Sequence, residues 1–120
     1  MENYVNVSVH PIPKSRVEEY RALANTIVQV YKDHGAIDYR EYILEDNSTV
    51  GLPFTDMAKA SEDETVVVSV AVFASKEARK EAHRKIEVDP RAAEIMDGDH
   101  PYLDYPRTAF GGFEELTSAS

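Results

Sequence analysis

The fold of this 120-residue chain is decided by the stretch ETVVVSVAVFAS at residues 64–75. Successive side chains of a strand point to opposite faces, and one row here consists of the valines at positions 66, 68, 70 and 72. The other row holds Val67, Ala71 and Phe73, interrupted by Ser69. Both faces of such a strand need cover, yet the predicted helices are too few to cover both faces of a sheet. A second copy of the chain is therefore expected to cover the remaining face.

The rest of the pattern predicts one domain over residues 1–120, with the element order β-α-β-β-α-β. The expected elements are strands at 4–10, 36–45, 64–75 and 108–116, helices at 15–34 and 76–87, a short helix at 90–97, and a long connection at 46–63. Ser15, Ser75 and Asp89 are predicted helix N-caps, the first in a capping box with Glu18. This order is that of the α+β ferredoxin-like fold, an antiparallel sheet with both helices on one face.

Alternation in the strands also predicts which residues lie under the helices. That set is Val5, Val7, Val9, Ile37, Tyr39, Glu41, Ile43 and the four-valine row. Within it, Val68 and Val70 are expected to contact Ala24 or Ile27 of the first helix. The opposite face is expected to carry Tyr4, Asn6, Ser8, His10, Arg40, Tyr42, Val67, Ser69, Ala71 and Phe73. Because exposure of a large apolar side chain costs about 1.5–3 kcal/mol, we expect a homodimer whose sheets face each other across a lined cavity.

Composition excludes several classes of partner. The chain has 22 acidic and 13 basic residues and a net charge of −9, whereas phosphate backbones and anionic membrane surfaces attract basic patches. It contains no cysteine, which excludes disulfides, thiolate metal ligands and iron–sulfur clusters. No apolar run approaches the roughly 20 residues that span a bilayer. We expect a cytoplasmic protein that binds neither nucleic acid nor membrane.

The densest set of reactive side chains lies at residues 34–41, which read HGAIDYRE. Arg40 is a candidate for holding a carboxylate or phosphate in its planar guanidinium group, and a buried Glu41 is a candidate general base. His10, at the end of the first strand, is the second candidate catalytic residue. Structural alternatives stay open, because Arg40 and Glu41 can pair with neighbouring strands and His10 can be a hydrogen-bonded residue of a strand end.

Three further residues complete the predicted ligand-binding set, namely Tyr39, Tyr42 and His34. His34 has its own structural alternative, since a cation near a helix C-terminus interacts favourably with the helix dipole. The histidines show neither HxH nor HxxxH spacing, and there is no glycine-rich phosphate loop or GxGxxG motif. We therefore predict neither a metal site nor a cofactor.

Several short segments resemble one known family in order and spacing. They read VHPIPK at 9–14, YR at 20–21, HGAIDYRE at 34–41, DETVV at 63–67, DPR at 89–91 and GGFE at 111–114. The chain resembles the YbaA-like family of bacterial proteins, a domain of unknown function that carries the number 1428. This resemblance implies the dimeric α+β barrel superfamily, in which two ferredoxin-like sheets face each other. It implies no activity, and the enzymes elsewhere in that superfamily offer only an analogy of fold.

Two functions of different classes remain open. One is a cofactor-independent enzyme that acts on a small acidic or aromatic metabolite. The other is a non-catalytic dimer that binds a small molecule or is associated with stress. Glu41 discriminates between them: a buried, unpaired Glu41 in a pocket favours the enzyme, whereas a Glu41 locked to an arginine favours the second function.

Overall fold

The computed structural model describes residues 3–47, 50–100 and 102–119. Its elements are β1 (Tyr4–Pro13), a 3-10 turn (Lys14–Arg16), α1 (Val17–Asp33), β2 (Asp38–Ile43), α2 (Phe54–Met57), β3 (Glu64–Phe73), α3 (Lys76–Glu87), α4 (Pro90–Asp97), a 3-10 turn (Tyr105–Arg107) and β4 (Ala109–Glu114). The predicted α+β ferredoxin-like order is confirmed. The connection at 46–63, two of whose residues lie outside the described ranges, contains the single turn α2. No helix in the described ranges is long and apolar enough to cross a membrane.

The strands form one antiparallel sheet in the order β2-β3-β1-β4. Directly opposite residues of neighbouring strands share a face, so the register defines rows across the sheet. One row joins Ser8, Ser69 and Glu41, and the next joins Asn6, Ala71 and Tyr39. These two rows form part of the cavity described below.

Two of the three predicted N-caps are confirmed. The Ser75 side chain accepts a hydrogen bond from the Ala78 backbone N–H at 3.0 Å, and Asp89 accepts one from the Arg91 N–H at 2.8 Å. The predicted capping box at Ser15 is wrong. The chain forms a 3-10 turn there, and α1 begins at Val17 without a side-chain cap. Tertiary packing of Tyr20 and the residues that follow it stabilises this helix instead.

The core lies between the sheet and the helices, in two clusters. One consists of Ile12, Tyr20, Ala24, Val67 and Tyr102, and the other of Ala36, Ala71, Phe73 and Ala82. Val67, Ala71 and Phe73 of β3 belong to these clusters, so their row lies under the helices. The predicted faces of β1 and β3 are therefore wrong, and Val68 and Val70 do not pack on α1. The assignment of Tyr39 and Glu41 to the helix side is correct.

The opposite face of the sheet, which we call the open face, is formed largely by valines. Val5, Val7 and Val9 of β1 stand directly opposite Val72, Val70 and Val68 of β3, and none of these six side chains is fully buried. Tyr42 and Phe113 lie on the same face and are each 54% exposed. The inversion has a physical cause. The helices cover a cavity as well as a core, so the polar residues of β1 lie on the helix side.

Candidate functional site

A cavity of about 230 Å³ lies between the sheet and the helices. Its sheet side is polar and includes Asn6, Ser8, His10, Tyr39, Glu41 and Ser69. Its helix side is mainly apolar and includes Ile27, Val30, Tyr31, Ile86, Ile95, Met96 and Leu103. No lysine or arginine of the described residues lines it. The sequence predicted a pocket in the space between two sheets; this cavity instead lies within one chain, on the other side of its sheet.

Glu41 is held on the cavity wall by two tyrosines. The Tyr20 hydroxyl donates a short hydrogen bond to Oε1, and the Tyr39 hydroxyl donates one to Oε2 at 2.7 Å. Ser69 lies directly opposite Glu41 in the sheet and is buried. Both carboxylate oxygens thus accept a phenolic hydrogen, and the hydroxyl of Ser69 lies within hydrogen-bonding range of both phenol oxygens.

Burial and the neighbouring carboxylate keep the tyrosines of this wall protonated. Burial, reinforced by the charge of Glu41 and by the hydrogen bond to it, raises the pKa of Tyr20 and of Tyr39. Burial and the same charge raise the pKa of Tyr31, which packs on Tyr39 with ring centroids 4.7 Å apart. At neutral pH these side chains therefore act as neutral hydrogen-bonding groups.

His10 faces the same cavity and has no hydrogen-bond partner among the described residues. It is 5% exposed, and both of its ring nitrogens are buried and unpaired. Burial lowers its pKa from 6.5 to about 4, so the imidazole is neutral at physiological pH. Its ring lies 5.3 Å from that of Tyr20, which bonds Glu41. An unsatisfied buried polar group costs about 1–3 kcal/mol, which a bound ligand with a matching group would recover.

The helix α4, which covers part of the cavity, is tied to α1 by charged side chains. Nε2 of His34 lies 2.7 Å from Oδ2 of Asp89, which also accepts a hydrogen bond from Arg91 at 2.8 Å. Arg91 contacts Asp33 at 2.9 Å as well. His34, a predicted ligand-binding residue, therefore connects the end of α1 to the start of α4 and does not line the cavity.

Arg40 and Tyr42, also predicted to bind ligand, point away from the cavity. Alternation places both on the open face, where Nε of Arg40 donates to Asp38 at 3.0 Å. They line a more open groove of about 360 Å³ between α1 and β2, which Tyr20, Tyr39 and Glu41 also border. Of the six predicted site residues, His10, Tyr39 and Glu41 come together in the cavity.

Two residues of the cavity wall were missed in the sequence. Tyr20 was treated as part of the apolar stripe of α1, and Ser69 as an interruption in an apolar row. A serine amid valines in a strand, opposite a glutamate in the paired strand, is a signal for a polar site, but it requires the register between β2 and β3.

In the described part of the chain, no three His, Asp or Glu side chains are grouped so that they could hold a metal ion.

Comparison with known proteins identifies the family. Residues 3–103 match the family described as "Protein of unknown function (DUF1428)". The chain belongs to this family. It is 33% identical to YbaA, an uncharacterised protein of Escherichia coli K12, over 114 residues that cover 94% of this chain and 96% of YbaA. The resemblance noted in the sequence is thereby confirmed.

Two solved structures share the fold. SnoaB, a cofactor-independent oxygenase from Streptomyces nogalater, is similar with a TM-score of 0.58 and 15% identity, over 98% of this chain and 96% of that one. A dimeric ferredoxin-like protein from an uncultured marine organism is similar with a TM-score of 0.50 and 8% identity, over 100% and 99% of the two chains. At such identities the similarity shows the fold alone.

Proposed function

We propose that this protein is a cofactor-independent enzyme that binds a small hydroxylated aromatic metabolite in the cavity and moves a proton with His10. The observation that carries this proposal is the buried, neutral imidazole with two unpaired nitrogens. One nitrogen carries a hydrogen, and the other offers a lone pair to a ligand hydroxyl or an acidic C–H group. The aromatic and apolar helix side of the cavity suits a flat ring.

The proposed step is a proton transfer that needs no co-reactant. His10 takes a proton from the ligand and becomes an imidazolium beside the anion that forms, and it returns the proton to another atom of the same ligand. The pKa of about 4 describes His10 in the absence of that anion. An opposite charge formed within contact distance stabilises the imidazolium and raises its pKa, so the base becomes stronger as the reaction proceeds.

The Glu41 cluster, which comprises Glu41, Tyr20 and Tyr39, would orient the ligand. Both phenols donate their hydrogens to Glu41, and a second ligand hydroxyl would have to share their oxygens with the hydroxyl of Ser69. This arrangement also supports the alternative, a non-catalytic binding protein, because a carboxylate with two hydrogen-bonded oxygens is not a free base. Glu41 is paired, but with tyrosines and not with an arginine, so it favours neither function by itself.

The experiment that separates the two functions is deuterium exchange. A thermal-shift screen with hydroxylated aromatic compounds would first identify ligands, since binding to the native state raises the melting temperature. Each ligand would then be incubated with protein in D₂O and followed by NMR. The enzyme incorporates deuterium at a carbon of the ligand, and His10→Gln abolishes incorporation while it still binds. Binding without exchange in the wild-type protein would leave the non-catalytic function.

We also propose that the protein is a homodimer through the open face. The support is the six partly exposed valines, with Tyr42 and Phe113 beside them, which a second copy would remove from water. A stable interface of this kind buries about 1,200 Å² or more in total. The sheets would then face each other, and each chain would retain its own cavity on the far side.

A further inference from the structure

Arg79 is the exception among the arginines of this protein. The chain has seven arginines, and six of them contact a carboxylate: Arg16, Arg21, Arg40, Arg84, Arg91 and Arg107. Within the described residues, Arg79 contacts none. A chain with 22 acidic and 13 basic residues offers carboxylates in excess, so a partly buried arginine that contacts none of the described ones is unusual among its arginines.

The surroundings of Arg79 hold its guanidinium in one position. Its Nη2 donates to Oδ1 of Asn6 at 3.3 Å, and its guanidinium carbon lies 5.4 Å from the centre of the Tyr4 ring. Gly112 makes room for that ring, since a Cβ there would overlap it. The Nε of Arg79 is buried and has no acceptor in the part of the chain that the structure describes. The Asn6 contact is long for a hydrogen bond, and a carboxylate would give shorter, charge-assisted bonds to two guanidinium nitrogens.

Arg79 does not line the cavity, but it contacts Asn6, one of the wall residues. Its charge also reaches Tyr31, a second wall residue, where it opposes the upward pKa shift that burial and Glu41 cause. Asn6 lies two residues along the strand direction and two strands across the sheet from Glu41. At about 3.4 Å per residue and 4.8 Å per strand, the two positions are roughly 12 Å apart. The cavity therefore has a negative wall at Glu41 and a cation beyond its Asn6 end.

We propose that Arg79 and Asn6 form the subsite for the carboxylate of an aromatic acid whose ring extends along β1 toward His10. This rests on the proposed function and specifies its substrate class. Asn6 and His10 are four residues apart on β1, or about 13 Å, which matches a ring with a short acidic side chain. At the Asn6 end the acid group lies away from Glu41, which would repel it. Arg79 thus takes the anion-holding role that the sequence suggested for Arg40.

The test compares an acid with its neutral counterpart, hydroxyphenylpropanoate with hydroxyphenylpropanol, by calorimetry and by NMR of the arginine Nε–H signals. Wild-type protein should bind the acid roughly 10- to 100-fold more tightly than the alcohol. The acid should shift the Arg79 Nε–H signal, and the alcohol should not. Arg79→Ala should bind both compounds equally, with unchanged affinity for the alcohol. Arg84→Ala, on the same helix and paired with Glu81, is the matched control and should keep the preference.

Each other outcome overturns a defined part of the scheme. If Arg79→Ala keeps the preference for the acid, or if wild-type protein shows no preference, the Arg79 subsite is wrong while the proposed function stands. If wild-type protein binds acid and alcohol equally and incorporates deuterium into them, and His10→Gln binds them without incorporation, the proposed function is supported without the acid subsite. If neither compound binds to the wild-type protein, both proposals fail for this ligand class.

Discussion

The two faces of this sheet are made from neighbouring residues of the same strands, yet they differ in what they contact. On the helix side, β3 contributes Ala71 and Phe73 to a closed core, and Ser69 to a polar cavity wall. On the open face, Val70 and Val72 of the same strand remain partly exposed. The more uniformly apolar face is therefore the less buried one. The cavity accounts for this, because the covered face supplies polar groups to the cavity wall as well as apolar groups to the core.

The largest effect is expected from truncation of the buried face. Phe73 is fully buried, so Phe73→Ala should lower the free energy of unfolding by about 3–5 kcal/mol. The matched control is Phe113→Ala on the open face, where the ring is half exposed and the loss should be about 1 kcal/mol or less. Urea denaturation at several protein concentrations measures both. If Phe113→Ala loses more than about 1 kcal/mol, the extra loss should increase with protein concentration, because it would arise from the proposed dimer interface. Equal, concentration-independent losses would contradict the assignment of faces.

Adjacent charge substitutions should separate the faces most clearly. Val70→Asp places a charge on the open face and should break the dimer, weakening association by about 3 kcal/mol or more, while each chain stays folded. Light scattering should then give 13.5 kDa for the variant and, if the proposed dimer forms, twice that mass for the wild-type protein. Ala71→Asp buries the same charge, unpaired, and should unfold the chain as measured by circular dichroism. If Val70→Asp unfolds the protein and Ala71→Asp does not, our comparison of the faces is reversed.

The sequence was sufficient for the fold because its signals are local. The strand at residues 64–73 and the caps at Ser75 and Asp89 depend on alternation and on side chains within a few residues. Which face the helices cover is not a local property. Val7 and Asn6 alternate equally well in either orientation, and the choice depends on helices and strands far away in the chain. Normally the helices cover the more apolar face of a strand. In β1 they cover the more polar face, because that face lines the cavity.

The candidate site was predictable only in part for a related reason. His10 was identified because it ends the polar but uncharged row of the first strand, and Glu41 because it is a carboxylate in an otherwise apolar row. Tyr39 was included as a neighbour of Arg40. Arg40 and Tyr42 were grouped with them by proximity in the sequence, although strand alternation places them on the other face. Arg79 and Tyr20 lie on helices, and only the packing of those helices on the sheet brings Arg79 to Asn6 and Tyr20 to Glu41. Their roles depend on which helix face meets which strand, which no spacing within the sequence specifies.

A smaller effect should come from the buried histidine of the covered face. Because burial lowers the pKa of His10 from 6.5 to about 4, the unfolded chain binds a proton more readily than the folded one. The contribution of His10 to the free energy of unfolding is fully present above about pH 6.5 and is lost as the pH falls toward 4. Between pH 7 and 5 the loss should be about 2 kcal/mol. Urea unfolding of the wild-type protein and of His10→Gln at pH 7 and at pH 5 measures this loss. If both proteins lose the same stability between the two pH values, His10 is not its cause.

The smallest effect concerns an ion pair at the start of β3, a central strand. It tests whether charges stabilise the end of this strand as packing stabilises its middle. Arg107 donates to both oxygens of Glu64, at 2.7 and 2.8 Å, and the Ser61 N–H donates to one of them at 2.8 Å. These bonds, chiefly those from Arg107, lower the pKa of Glu64 from 4.5 to about 2 against the opposing effect of burial. The folded chain therefore releases this proton more readily than the unfolded one. The stabilisation is present above about pH 4.5 and is lost as the pH falls toward 2.

The matched variant for this ion pair is Glu64→Gln, which keeps the shape of the side chain and removes its charge. We expect it to be less stable than wild type by about 1 kcal/mol at pH 6, because solvent screens a pair near the surface. The difference should shrink steadily below pH 4.5, since wild-type Glu64 then also becomes neutral. Urea midpoints of the two proteins across this range measure it. If the stability difference between the two proteins is constant down to pH 2, it is caused by shape and hydrogen bonding and not by charge. If the two proteins are equally stable at pH 6, only apolar packing stabilises this end of β3.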